Sequence, residues 1–228
     1  MQRRQFSRAA VASTATLASL PAAVQAQLAK AAQPAQSAPL AAPVAGRDYL
    51  VLDKRAPVEA PAGKVEVVEF FWYGCPHCYS FEPQFKAWIQ KAPKDVVVRR
   101  VPVSFRADFE PLQRLYYVLE ALGKVDSLHG KVFDAIHLNK QTLNTPEQVL
   151  AWAEKQGLPR AQVTELYNAF PVNLKTRKAT QLQDAFLVDG VPSLGIAGRY
   201  FTSGSLARDM ERALQVTDHL IGLARKAG

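Results

Sequence analysis

The feature that most constrains this chain is a pair of cysteines, Cys75 and Cys78, placed where a strand-forming run gives way to a helical one. Val65–Trp72 (VEVVEFFW) is β-branched and aromatic, with Gly63 before it and Gly74 after it, the composition of a strand. Cys75–Lys91 then carries Phe81, Phe85, Trp88 and Ile89 at i, i+4, i+7 and i+8, an apolar helical stripe. Pro83 lies inside that helix and should bend it, because it has no amide for the turn behind. These are the only two cysteines. Two intervening residues make too tight a loop for an ordinary structural staple, so the pair points to chemistry.

Each part of Cys75-Pro76-His77-Cys78 has a physical use at a helix start. The first four helical amides have no intrahelical partner, and the peptide dipoles leave partial positive charge there. A Cys75 thiolate would accept those amides. Pro76 suits the first turn, where its missing donor costs nothing. His77 adds a further donor, charged when protonated. All three favour the thiolate, so the Cys75 pKa should be depressed. Cys78 lies one turn deeper, placed to resolve a mixed disulfide on Cys75. Two other readings exist for such a pair. Half of a zinc site would need His129, His137 or His219 as further ligands, and His129 and His137 are spaced too widely for a finger. An inert disulfide across so small a loop would stabilise little. A redox dithiol without a metal accounts for the pattern best.

The wider composition limits the alternatives. The chain has 228 residues, 48% of them hydrophobic and 21% charged, ordinary for a globular core. This excludes a disordered chain, a collagen and a disulfide-rich miniprotein. No apolar run reaches the length of a strong membrane span. Met1–Arg8 is basic, Ala9–Ala23 is small and mildly apolar, and Val24-Gln25-Ala26 has cleavage-site residues. Residues 1–26 therefore read as a signal peptide. Arg3-Arg4-Gln5-Phe6 fits a twin-arginine signal, and a Sec signal fits equally. Removing the three arginines of this leader lowers the formal charge from +8 to +5. That excess is too modest for a nucleic-acid footprint. Residues 27–46, rich in Ala, Pro and Gln, read as a disordered linker, since they offer too little apolar surface to offset ordering.

Beyond the cysteines, Asp48–Leu52 is a short extended piece, and Val96–Phe105 reads as a strand buried on both faces. Helical spacing follows in Pro111–Leu122, Asp126–Leu138, Pro146–Gln156, Pro159–Phe170 and Leu174–Val188. Thr145-Pro146-Glu147-Gln148 is a capping box with Pro at N1. Strands return at Ser193–Ala197 and Arg199–Phe201, and Leu206–Lys226 is a closing helix. His129, His137 and His219 fall at positions expected to be exposed. Trp72, Trp88, Tyr116 and Tyr117 read as core or groove lining.

Glu69-Phe70-Phe71 before Cys75-Pro76-His77-Cys78-Tyr79, with Phe81-Glu82-Pro83 after it, resembles the DsbA family of periplasmic thiol:disulfide interchange proteins. Gly190-Val191-Pro192, followed by Gly198-Arg199-Tyr200, resembles that family's cis-proline segment, which faces the dithiol. The resemblance covers residues 47–228. It implies an α/β thioredoxin fold from 47–104 and 189–228, with a helical domain inserted at 105–188. It implies a redox-active Cys75–Cys78 disulfide in place of a cofactor, given to unfolded or newly exported cysteine-containing proteins and restored by a membrane quinone reductase of DsbB type. Val191 and Pro192 would bind substrate. Glu69 would be buried near the cysteines, opposite a basic partner on the next strand. That partner is a Lys in the best-known members and Arg100 here, a departure that matters because Arg does not give up its proton. Gly195 also departs, standing where a bulky residue is common. The same chemistry would serve a disulfide reductase or isomerase, and a redox-inert peptide-binding chaperone could keep the fold. Isomerases of the DsbC type carry an N-terminal dimerisation domain; here a short Ala/Pro tether is expected before the domain, which argues for a monomer.

Overall fold

A computed structural model describes residues 41–227. The expected signal peptide, and most of the expected linker, lie outside the described residues. The linker's last part is ordered: Asp48 is buried and accepts the Val44 amide at 2.8 Å, closing a turn ahead of the first strand.

Five strands form one mixed sheet. They are β1 (Leu50–Val51), β2 (Val65–Phe71), β3 (Val96–Pro102), β4 (Ser193–Ile196) and β5 (Tyr200–Ser203), in the order β1-β5-β4-β2-β3. β2 and β3 are parallel and joined through helix α1 (Pro76–Lys91). β4 runs antiparallel to β2, β5 to β4, and β1 to β5. Between β3 and β4 lie α2 (Glu110–Ala121), α3 (Val125–His137), α4 (Pro146–Lys155), α5 (Arg160–Asn168) and α6 (Phe170–Ala185). After β5 come the one-turn helix α7 (Gly204–Ala207) and α8 (Met210–Ala227).

The pleat of β2 sorts its side chains between two cores. Val65 and Val67 pack with Phe81 and Phe85 of α1 and Val216 and Leu220 of α8. Val68 and Phe70 face the other way, toward the helices between β3 and β4, among them Leu115 and Val118. Burying each such Phe contributes about 1.5–3 kcal/mol. Those helices share this core with the sheet, and residues from Pro43 onward form one compact unit.

Three expectations need correction. β3 is an edge strand whose first five residues are only half-buried; its valine content reflects β-propensity. The closing helix is broken, because Arg208 has φ +80 and separates α7 from α8. His129 is buried in the core, and His137 and His219 are half-buried. At α4 the expected capping box is present, with Thr145 accepting from the Gln148 amide.

Candidate active site

Cys75 occupies the N-cap of α1, with extended backbone angles (φ −84, ψ 118), and Pro76 opens the first turn. Both cysteines are free, so the site is described as the dithiol. Cys75 retains 8% of its surface and Cys78 only 1%, as their positions on the first turn require. The two sulfurs differ sharply in acidity. Cys75 is brought down to about 6, chiefly by the Cys78 S–H, against an opposing cost of burial. The amides of Cys78 and His77 add to the lowering, and the His77 charge contributes least. Cys78 is pushed well above the ordinary thiol range, first by burial and then by Cys75. One sulfur is therefore disposed to ionise near neutral pH, and the other to stay protonated. His77 itself is exposed, which explains its small share.

Across from α1, the Val191–Pro192 peptide bond is cis. The Cys75 thiol donates to the Val191 carbonyl oxygen at 3.4 Å. A groove of about 480 Å³ opens beside this pair, lined among others by His77, Val191, Pro192, Arg208 and Met210. On the other flank Trp72 stacks flat on Phe109, ring centres 3.6 Å apart and planes within 2°. Gly74 lets that indole lie close: a Cβ there would sit 2.4 Å from the Trp72 ring.

Beneath the dithiol is a buried polar cluster. Glu69 is 1% exposed and is the register partner of Arg100 on β3. Arg100 Nη1 lies 3.2 Å from Glu69 Oε2, and the guanidinium grips Glu82 at 2.5 and 3.0 Å. It also contacts His129 Nε2, whose Nδ1 meets the Tyr73 hydroxyl at 2.8 Å. Burial raises the Glu69 carboxyl to about 7, against the pull of Arg100.

Comparison with known proteins places this geometry. A family model described as the DSBA-like thioredoxin domain matches residues 66–215. The chain belongs to the DsbA-like thioredoxin family. Among its relatives, the thiol:disulfide interchange protein DsbA of Burkholderia cepacia is 41% identical over 187 residues, 82% of this chain and 88% of that protein. The protein of the same name from Pseudomonas aeruginosa is 39% identical over 184 residues, 80% of this chain and 86% of that protein. The crystal structure of Pseudomonas aeruginosa DsbA superposes with a TM-score of 0.77 at 37% identity, covering 81% of this chain and 96% of that one. NmDsbA1 of Neisseria meningitidis gives 0.70 at 29%, covering 81% and 95%. This DsbA-like protein is a thiol:disulfide oxidoreductase of thioredoxin fold.

Within this DsbA-like site, the structure brings together Cys75, Pro76, His77, Cys78, Val191 and Pro192 around one sulfur, and sets Glu69 and Arg100 below them. Sequence reasoning missed three members of the lower cluster: Tyr73, Glu82 and His129. A signal for His129 was present. His129, Val132, Phe133 and Ile136 follow i, i+3, i+4, i+7 spacing, which puts the imidazole on the apolar stripe of α3. At Gly195 the structure leaves no room for a side chain. A Cβ there would lie 2.4 Å from the Phe186 ring, which packs on Phe70 with centres 5.3 Å apart.

Proposed function

We propose that this protein is a dithiol oxidase, giving the Cys75–Cys78 disulfide to unfolded or newly exported cysteine-containing proteins. The observation that carries this reading is the placement of the two sulfurs, Cys75 at the N-cap of α1 against the Val191 carbonyl and Cys78 buried behind it. Reduction creates a Cys75 anion that the Cys78 S–H and the helix amides stabilise. The disulfide has neither the anion nor the Cys78 S–H, and leaves the helix amides no charge to bind, so the reduced form is favoured and the disulfide is readily given away.

The exchange balances as follows. A substrate thiolate attacks the Cys75 sulfur; the Cys75–Cys78 bond breaks and its electron pair leaves on Cys78, which takes up a proton. A second substrate thiolate attacks the substrate's own sulfur in the mixed disulfide and expels Cys75 as the thiolate. The substrate loses two electrons and the protein gains them. In the disulfide and in the mixed disulfide Cys75 carries no proton to donate to Val191, so that carbonyl can accept an amide of an extended substrate chain, held beside Pro192 in the manner of an added strand. The redox group in this reading is the cysteine pair itself. A membrane quinone reductase of DsbB type would restore it. The protein would act as a monomer in the periplasm after Sec or twin-arginine export.

The decisive test is a redox equilibrium with glutathione. The expected result is a couple clearly more oxidising than glutathione. A couple more reducing than glutathione would overturn the oxidase direction in favour of a reductase.

A further inference from the structure

Arg100 holds its proton permanently, so it acts on Glu69 only through where its N–H groups point. Its Nη1 carries two hydrogens and faces three acceptors. Glu82 Oε2 lies at 2.5 Å, His129 Nε2 is in close contact, and Glu69 Oε2 is 3.2 Å away. Only the first two are satisfied as hydrogen bonds; Glu69 Oε2 is buried without one. Glu69 thus feels the charge of Arg100 while receiving none of its hydrogens.

The tautomer of His129 follows from the same contacts. Arg100 can only donate, so Nε2 must accept, and the ring proton sits on Nδ1 toward the Tyr73 hydroxyl. Burial disfavours the imidazolium and Arg100 opposes it further, while Glu82 Oε2 at 3.4 Å favours it. Tyr116 of α2 also faces the ring, centres 6.1 Å apart. Glu69 in turn faces Arg100 and Glu82, and its charge acts on Cys78, Tyr73 and Tyr116. A groove lined by Glu82, Arg100, Asp126, His129 and Lys131, among others, opens onto the cluster.

We propose that His129 is a positioning residue for disulfide exchange: by occupying one guanidinium hydrogen of Arg100, it withholds that hydrogen from Glu69 and so sets the charge state of the carboxyl beneath the dithiol. The consequence falls on the leaving group. When a substrate thiolate attacks Cys75, the electron pair of the broken S–S bond departs on Cys78. A Glu69 carboxylate opposes that anion, and a neutral Glu69 does not. This inference rests on the dithiol reading above.

The test is a pH titration of the Glu69 carboxyl carbon by NMR in the reduced protein, with Glu69→Gln assigning the resonance. His129→Leu should free the Arg100 hydrogen for Glu69 and lower the midpoint by about one pH unit or more. His129→Gln, whose amide oxygen can accept from Arg100, should stay within about 0.3 unit of the unmodified protein. An unchanged midpoint in His129→Leu, or an equal fall in His129→Gln, would overturn the proposal. A second measurement needs no variant. Nitrogen NMR of the unmodified protein should find His129 neutral with its proton on Nδ1, and a proton on Nε2 would equally overturn it. Neither readout needs turnover, so failure here is separable from failure of the dithiol reading, which would appear as absent exchange with glutathione.

Discussion

The Cys75 sulfur lies 3.4 Å from the carbonyl oxygen of Val191, a residue 116 positions away in the chain. That contact joins the start of α1 to the loop before β4, and in the proposed function it sets the reacting sulfur against the backbone that pairs with substrate. The roles of the two cysteines follow from it. Cys78 lies behind Cys75, buried and protonated. Cys78→Ser should therefore accumulate mixed disulfides with substrate proteins, whereas Cys75→Ser should not. Non-reducing electrophoresis after exposure to a reduced, unfolded substrate reads the difference, and a reversed pattern would exchange the two assignments.

The origin of the Cys75 acidity can be separated by two variants. The Cys78 S–H is its largest support and the exposed His77 its smallest. Cys78→Ala should raise the Cys75 pKa more than His77→Ser does. The His77 effect should also shrink with added salt, since that charge is exposed to solvent. Titration of the thiolate ultraviolet absorbance measures both. A larger effect from His77→Ser would place the weight on the histidine.

Stability should depend on pH in a way that differs between redox forms. The Cys75 pKa falls from 9.0 in the unfolded chain to about 6 in the folded dithiol. Its stabilisation is therefore fully present above pH 9 and lost as pH falls through 6. The oxidised form has no such group. The reduced form should gain on the oxidised form between pH 6 and 9, by roughly 2 kcal/mol once screening by solvent in the adjoining groove is allowed for. Denaturant midpoints of both forms across that window measure it, and a constant gap would rule the linkage out.

Glu69 acts in the opposite sense. Its folded pKa is raised from 4.5 to about 7, so the unfolded chain ionises first and stability declines as pH rises from 4.5 to 7. Above 7 the cost is fully present. Glu69→Gln should flatten this decline, seen in thermal or denaturant unfolding of either redox form. An unaltered slope would mean that Glu69 does not titrate in that range.

The Gly195–Phe186 contact predicts a steric coupling. Gly195→Val should destabilise by about 1–3 kcal/mol through overpacking against the Phe186 ring. Phe186→Ala alone should cost about 3–5 kcal/mol through the cavity it leaves. In the double variant the valine can occupy that space, so its cost should be less than the sum of the two single-variant costs. Strict additivity in urea unfolding would show that the ring moves aside without strain.

Local sequence determined the parts of this protein whose physics is local. A β-branched run ending at a glycine, then a cysteine ahead of a proline, dictates a strand, a turn and a helix N-terminus, and the helix start alone predisposes Cys75 to ionise. The capping box at Thr145 and the helical spacing between β3 and β4 were legible for the same reason. Tertiary structure decided what depends on distant partners. Only the sheet order makes β3 an edge, so its valines could not reveal its half-exposure. Only the packing of α3 against β2, β3 and α1 brings His129 to Arg100, Glu82 and Tyr73, from four separate stretches of chain. The strongest support for the Cys75 thiolate also belongs to tertiary packing, because burial keeps Cys78 protonated and so keeps its S–H available as a donor. Burial is set by every element that surrounds a group, and no spacing along the chain encodes it.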